Sequence, residues 1–492
     1  MSEAQGSTVG QAYLTFVSAG QITAILPSNT PLGSVQVTVA YNGNAGAPAT
    51  INVVTTALGI FSSAGGKGPG VVQNWISGAN EPINTISMAA KPQQIGIIWA
   101  TGMGPVAGAD NTPPAGANMT GIPVRVLVGG QPATLLYAGR APNFSAVDNV
   151  YFIVPQGVPL GCYVPLQVSA GGVWSNTVTI AVSADGSHCK DTNNPLSGVS
   201  STGGNIGVLG LVRLNYNGQI DPSQAAGDAT IDLAIGDFAQ VTAGGDMAQS
   251  PFMNLPPVGT CKSTNRPLDL GATLGSGGTS LDPSLERMLD AGASLTVTGP
   301  QATAAIGQID TGSPYLAVLG GSVSAGNSIA VGDSQSALFL GAGPFTIAGV
   351  GGADVGPFSV TVNAPPAVTW TNEAQIAAID RSVPLTLAWT GGDPAATMLV
   401  LGGSSDPNTE ASGGFACLAA MGAGTFTIPV NTLADLVAVD PVAPMPSGQS
   451  SQLGVLGLMP LALGNAQKFT AKGLNAGYAF ETAMSLKSVQ VK

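Results

Sequence analysis

Charge is what this sequence has least of. Asp, Glu, Lys and Arg make up 8% of its 492 residues, where a soluble domain usually carries about 25%. A helix that faces water needs such residues along its outer side, so their scarcity excludes a protein built of long solvated helices. Basic residues are the rarer kind: 14 Lys and Arg lie scattered from Lys67 to Lys492 against 26 Asp and Glu, for a net charge of −12. No basic cluster can track a phosphate backbone, which excludes nucleic acid as a partner. The single histidine, His188, excludes a multi-histidine metal centre. Long apolar runs are missing too. None approaches the ~18 residues of a membrane-spanning helix, the nearest being the glycine-broken stretch from Leu453 to Leu463. The opening Met1-Ser2-Glu3-Ala4-Gln5 has neither the basic nor the apolar region of a signal peptide. Low-charge, Thr/Ser/Gly-rich β chains are typical of secreted bacterial proteins, so we read an exported chain whose signal is not in this sequence.

The space left by charge is filled by Thr, Val, Ser and 69 glycines, the residues of strands and turns. At about 100–200 residues per domain, the length predicts three to five domains. Strands are expected at Ala12 to Phe16, Gln21 to Leu26, Val35 to Ala40 and Thr50 to Val54, with Asn42-Gly43 as a hairpin turn. The last three return 128 positions later. Ile25-Leu26-Pro27 becomes Ile153-Val154-Pro155, and Pro31-Leu32-Gly33 becomes Pro159-Leu160-Gly161. The offset slips to 129 at Thr50-Ile51 and Thr179-Ile180, a change absorbed in the hairpin loop. The second copy is preceded by strands at Ile95 to Thr101, Val124 to Val128 and Ala133 to Ala138 that the first lacks. The chain thus carries a duplicated β unit whose first copy is cut short.

Residues 185–281 loosen into Ser-, Gly- and Asn-rich sequence with apolar islands at Leu209 to Leu214 and Ala229 to Ile235. They are expected to form a loop-rich linking region with room for one strand pair. Alternation returns from Ala293 to Val362 and again from Leu385 to Val491, separated by Pro365-Pro366. Helix is expected only at Pro283 to Asp290 and Asn372 to Ile379. The predicted fold is all-β, as tandem Ig-like sandwiches: a partial domain over 1–56, a complete one over 57–184, the link, a sandwich over 282–365 and a last one over 366–492.

Within this frame, Gly59-Ile60-Phe61, Trp99-Ala100-Thr101-Gly102-Met103-Gly104-Pro105, Val128-Gly129-Gly130-Gln131-Pro132-Ala133, Tyr137-Ala138-Gly139 and Ser175-Asn176-Thr177-Val178-Thr179 occur in order. Over residues 11–183 the chain resembles the Solibacter-type uncharacterised C-terminal domain family, Ig-like modules of secreted acidobacterial proteins. The resemblance implies an extracellular β-sandwich with no catalytic residues to carry over. Members of that family normally begin upstream of where this sequence begins. The C-terminal half, with Leu289-Asp290-Ala291-Gly292 and Trp389-Thr390-Gly391-Gly392-Asp393-Pro394, is similar to segments that follow the module in its relatives.

Four cysteines are compatible with four buried thiols or two disulfides. Export would oxidise them, and Cys162 would then pair with Cys189, bracketing adjacent strands, and Cys261 with Cys417. Asp310-Thr311-Gly312-Ser313 resembles an aspartic-protease loop, but no second such loop supplies the partner carboxylate, so a turn is the better reading. Ser187-His188-Cys189 invites a nucleophile hypothesis, yet adjacent residues in a loop rarely point at one another. Asp221, Asp228, Asp232 and Asp237 could offer oxygens to Ca²⁺, but they match no calcium-loop pattern and read as solvated loop acids. Of Trp75, Trp99, Trp174, Trp370 and Trp389, a possible sugar-stacking set, Trp99 and Trp389 lie in apolar alternation and read as core. Trp174, in the hairpin Gly171-Gly172-Val173-Trp174, is the candidate ligand contact.

No cofactor or catalytic metal is expected. The sequence points to a non-enzymatic, extracellular structural or adhesive protein whose partners are other protein chains, copies of itself included. The alternative is a carbohydrate-binding accessory region of a larger secreted enzyme, with a glycan as ligand. The cut-short copy has two explanations: upstream residues complete it, or strands from a neighbouring chain do, which would propagate as a fibre.

Overall fold

The computed structural model describes residues 2–3, 10–105, 109–112, 117–191, 194, 203–218, 227–241, 255–264, 286–308, 313–323, 337–441, 452–461 and 466–492. Almost all of its regular structure is strand. The chain divides into two compact units, one of residues 1–158, 165–180 and 184–186, the other of 159–164, 181–183 and 187–492.

The first unit opens with β1 (Tyr13–Val17) paired to β2 (Ile22–Ile25), and β3 (Gly33–Val37) paired to β4 (Ala49–Val53). Asn42 and Gly43 both have positive φ, 48° and 80°, which a type I′ hairpin turn demands and the Asn-Gly pair supplies. The complete copy follows, with β5 (Gly59–Ile60), β6 (Lys67–Gly70), β7 (Val72–Trp75), β8 (Ile95–Thr101), β9 (Val124–Val128), β10 (Gln131–Arg140), β11 (Asp148–Ile153), β12 (Gly161–Ala170) and β13 (Val178–Val182). One layer runs β7-β8-β11-β10 and the other β10-β9-β12-β13-β6. β10 serves both: residues 131–133 pair with β9, and residues 134–140 with β11 across a register shift between Leu135 and Tyr137. These are the A-B-E-D and C-F-G layers of an Ig sandwich, with β6 parallel to β13 and the short strand Ser62–Ala64 paired outside it. Its core holds Ile97, Ile98, Val126, Val128, Val150, Phe152, Leu166 and Val168.

The second unit is organised by one 14-stranded sheet. Its strands include β14 (Gly204–Gly218), β15 (Gly227–Val241), β16 (Thr260–Thr264), β17 (Ser294–Thr298), β18 (Thr303–Gln308), β19 (Tyr315–Val323), β20 (Pro344–Gly349), β21 (Phe358–Asn363), β22 (Thr397–Asp406), β23 (Ala411–Ala420), β24 (Leu453–Leu461) and β25 (Ala476–Ser488). Their order is β16-β23-β22-β24-β25-β14-β15-β19-β18-β17-β20-β21. The stretch expected to be a loop-rich link therefore contains two paired 15-residue strands, β14 and β15, at the middle of this sheet. Both faces of that pair are covered. Leu209, Leu211 and Phe238 join a core with Leu295, Phe345 and Phe358, while Val212, Leu214 and Ile231 join another with Leu399, Leu418 and Met459. A third core gathers Trp370, Trp389, Phe415 and Leu456.

Neither expected helix forms over the described residues. Glu286–Met288 is a strand on β15, and Glu373–Gln375 is a single 3₁₀ turn. Apolar spacing over such short segments does not separate helix from strand, and pairing to β15 decides the first case.

Candidate binding surface

The cut-short copy and its complete counterpart can be compared position by position. In the complete copy β11 lies between β8 and β10; its counterpart β2 pairs with β1 alone among the described residues. β12 lies between β9 and β13, whereas β3 lies between β4 and the two-residue strand Ser2–Glu3, which stands where the complete copy has five-residue β9. Burial follows the pairing. Ile22 is 45% exposed and Leu26 41%, while Val150 and Val154 at the same repeat positions are fully covered. Tyr13, Leu14, Phe16 and Val17 add exposed apolar surface on both faces of β1. An unpaired strand edge beside exposed apolar side chains is a template for another strand.

Next to this edge lies a cleft of about 520 Å³, lined by Ala24, Ile25, Leu26, Ile51 and Val53 on one side and Gly102, Gly104 and Arg140 on the other. Its mouth is pinned by Asp110, whose carboxylate accepts hydrogen bonds from the Ser28 backbone N–H (2.9 Å) and hydroxyl. Arg140 is committed to structure: it pairs with fully buried Asp148 and donates to the Gly104 carbonyl. The Met103 N–H completes the Asp148 site at 2.8 Å. Burial raises the Asp148 carboxyl pKa, with Arg140 acting against it.

The disulfides Cys162–Cys189 and Cys261–Cys417 both form. The second joins directly opposed residues of β16 and β23. Cys189 thus carries no thiolate for the Ser187-His188-Cys189 string, and His188 is exposed. Asp310 and Asp221 lie outside the described residues. Asp228, Asp232 and Asp237 are not loop acids but strand residues of β15. Asp232 is fully buried, paired through both oxygens to Arg213 at 2.8 Å and accepting the Leu340 N–H at 2.7 Å. Asp237 is pushed up to about 6 by desolvation, and Glu481 of β25 to about 7, with Arg213 opposing the shift. Asp191 also rises to about 6; it accepts the Cys162 N–H and lines a cleft of about 170 Å³ with Leu255, Pro256 and Pro257. Among the described residues no three of His, Cys, Asp and Glu converge to hold a metal ion.

Trp370 and Trp389 are core. Trp99 is half-buried, its indole N–H on Gln73 at 2.6 Å and its ring edge-on to Phe144. Trp174 is half-buried too, paired with Ser169. The exposed indole is Trp75, at the end of the edge strand β7. Its position as the last residue of a strand was the available signal.

No protein-family model and no curated protein matches the sequence. Among solved structures the chain is similar to the FN1–FN3 domains of chicken CNTN1, at 6% identity over 76% of this chain and 94% of that one, TM-score 0.13. It is similar to titin domains I67–I69 at 8% identity over 82% and 94%, TM-score 0.11. It is also similar to the N-terminal four Ig domains of Dscam1 at 8% identity over 81% and 91%, TM-score 0.12. Scores this low carry no argument about function.

Proposed function

We propose that this is a non-enzymatic extracellular structural or adhesive protein, and that its N-terminal half-sandwich takes a strand from a second copy of the chain. The observation that carries the reading is the outer edge of β2, unpaired among the described residues and flanked by exposed Ile22 and Leu26 where the complete copy has buried Val150 and Val154. Strand addition at that edge would satisfy backbone groups and cover apolar surface together. Where the added strand is any other than β2 itself, donor and acceptor surfaces differ, and the contact is head-to-tail and extends into a polymer. Two disulfides and the resemblance of residues 11–183 to secreted modules accord with an oxidising location. Each of the two clefts described above is lined by a single carboxylate-bearing residue, Asp110 or Asp191, which supports a binding rather than a hydrolytic role.

Light scattering and negative-stain microscopy of the 492-residue chain test this. Concentration-dependent polymers are expected, lost on deletion of residues 1–56 and weakened by Ile22→Lys. A stable monomer at high concentration, or polymers that survive the deletion, would overturn the proposal.

A further inference from the structure

The complete sandwich carries a second surface feature, independent of the half-sandwich. A cleft of about 380 Å³ is lined by Asn74, Trp75, Ile76, Met88, Lys91, Gln93, Gln94 and Asp185. Trp75 is 39% exposed there, with Ile76 and Met88 beside it also open to solvent. We propose that this cleft binds a pyranose ring of a neutral glycan, stacked on the Trp75 indole and hydrogen-bonded by Gln93 and Lys91.

The floor of the cleft is fixed by bonds that leave these groups available. Gln93 donates its N–H to the Val154 carbonyl, and Val154 donates back to the Gln94 carbonyl, both at 2.9 Å. The Gln94 side chain is spent on the same turn: its oxygen accepts the Lys91 N–H at 3.0 Å, and its amide donates to the Trp75 carbonyl at 3.2 Å. Below, buried Asn74 donates to the Met88 carbonyl at 2.8 Å and accepts from Asn84 at 3.1 Å. The turn from Lys91 to Gln94 is thereby locked to both flanking segments.

Within it, Gln93 has φ of +68°, a left-handed conformation that a glutamine adopts only at a cost. Strain of this kind persists where surrounding structure over-determines it, and it gathers at ligand sites. Among the described residues the Gln93 side-chain amide makes no hydrogen bond, and Lys91 makes no ion pair. An open indole rimmed by an amide, an ammonium and the Asp185 carboxylate suits a ligand with one C–H face and a rim of hydroxyls. A purely apolar ligand would strand the polar rim. An anionic sugar would meet Asp185 and a chain of net charge −12. A cleft in the range of about 300–1,000 Å³ that is typical of small-molecule sites admits one or two rings.

The test is isothermal titration of the full chain with cellohexaose, xylohexaose, laminarihexaose and chitohexaose, alongside the indole N–H resonance of Trp75. At least one sugar is expected to bind saturably, with Kd at or below the order of 1 mM, and to shift that resonance. Trp75→Ala should abolish binding, Gln93→Ala should weaken it about tenfold, and Trp174→Ala should leave it unchanged. Trp75 is exposed, so Trp75→Ala should keep the unfolding midpoint of the parent, which separates lost binding from lost fold. No binding by any of the four sugars at about 10 mM, or undiminished binding by Trp75→Ala, would overturn the proposal.

Discussion

Residues 22–26 and 150–154 have the same place in a repeat and opposite fates. Val150, Phe152 and Val154 are fully covered, while Ile22, Ala24 and Leu26 face solvent. Burial is therefore not a property of the strand itself. It is conferred by the neighbours on either side, β8 and β10, where β2 pairs with β1 alone among the described residues. The same holds for charge: the complete copy buries the Arg140–Asp148 pair, and the first copy has Gly20 where Asp148 would fall.

That contrast can be broken most forcefully at the ion pair. Asp148→Ala leaves the Arg140 guanidinium and the Met103 N–H without their acceptor and is expected to destabilise the first unit by about 3–5 kcal/mol. Chemical denaturation followed by near-UV circular dichroism measures it, and a loss below about 1 kcal/mol would show that water reaches the pair. Phe152→Ala should cost nearly as much, about 3–4 kcal/mol, because the ring is fully enclosed. The counterpart Ala24→Phe should change monomer stability by less than about 0.5 kcal/mol, since its site is open. By adding apolar surface there, it should also promote association. If Ala24→Phe instead stabilises the monomer strongly, the first copy has a closed core of its own.

A smaller effect separates the second unit from both copies. Asp237 and Glu481 titrate in the folded protein near 6 and 7, above their ordinary 3.8 and 4.5. The folded state thus holds these protons more tightly than the unfolded one. The stability they contribute is present in full below about pH 4 and is lost as pH rises to about 7. We expect roughly 2 kcal/mol from each, allowing for partial exposure of both residues. Thermal melting at pH 5 and 7.5 should show the acid-side gain, and Asp237→Asn with Glu481→Gln should reduce it to the share that Asp191 retains. Smallest of all, Ile22→Ala should leave monomer stability within about 0.5 kcal/mol, whereas Val150→Ala costs about 2 kcal/mol.

The sandwich of the first unit was legible because its strands alternate and its turns carry glycine at fixed places, as at Gly129-Gly130, where both φ values are positive. The repeat followed from the same pattern, whereas the two cysteine pairs, which do form, were expected from export, the first also because it brackets adjacent strands. β14 and β15 were legible only as apolar islands. Covered on both faces, they have no alternation to read. Their glycines also imitate loop sequence while serving packing: a Cβ on Gly207 would meet the Phe238 ring at 2.9 Å, and one on Gly210 the Phe480 ring at 3.1 Å. At the surface, composition could not rank the tryptophans. The exposure of Trp75 depends on its strand lying at a sheet edge, and edges are set by pairing across 20 or more residues.

The parallel pairing of β14 with β25 has a consequence for the order in which the protein can be made. Its partners stand about 270 residues apart, as in the contact of Asn205 with Asn475. The middle of the second unit's sheet therefore stays open until β25 has left the ribosome, and loop closure over that span must precede any gain from the contacts it brings. The first unit has a shorter wait: its parallel pair of β6 and β13, with Pro69 opposite Thr179, is complete once β13 has emerged. A nascent chain arrested after residue 470 should accordingly present a protease-resistant sandwich over 57–184 and an exposed β14, the surface that holdase chaperones would be expected to cover.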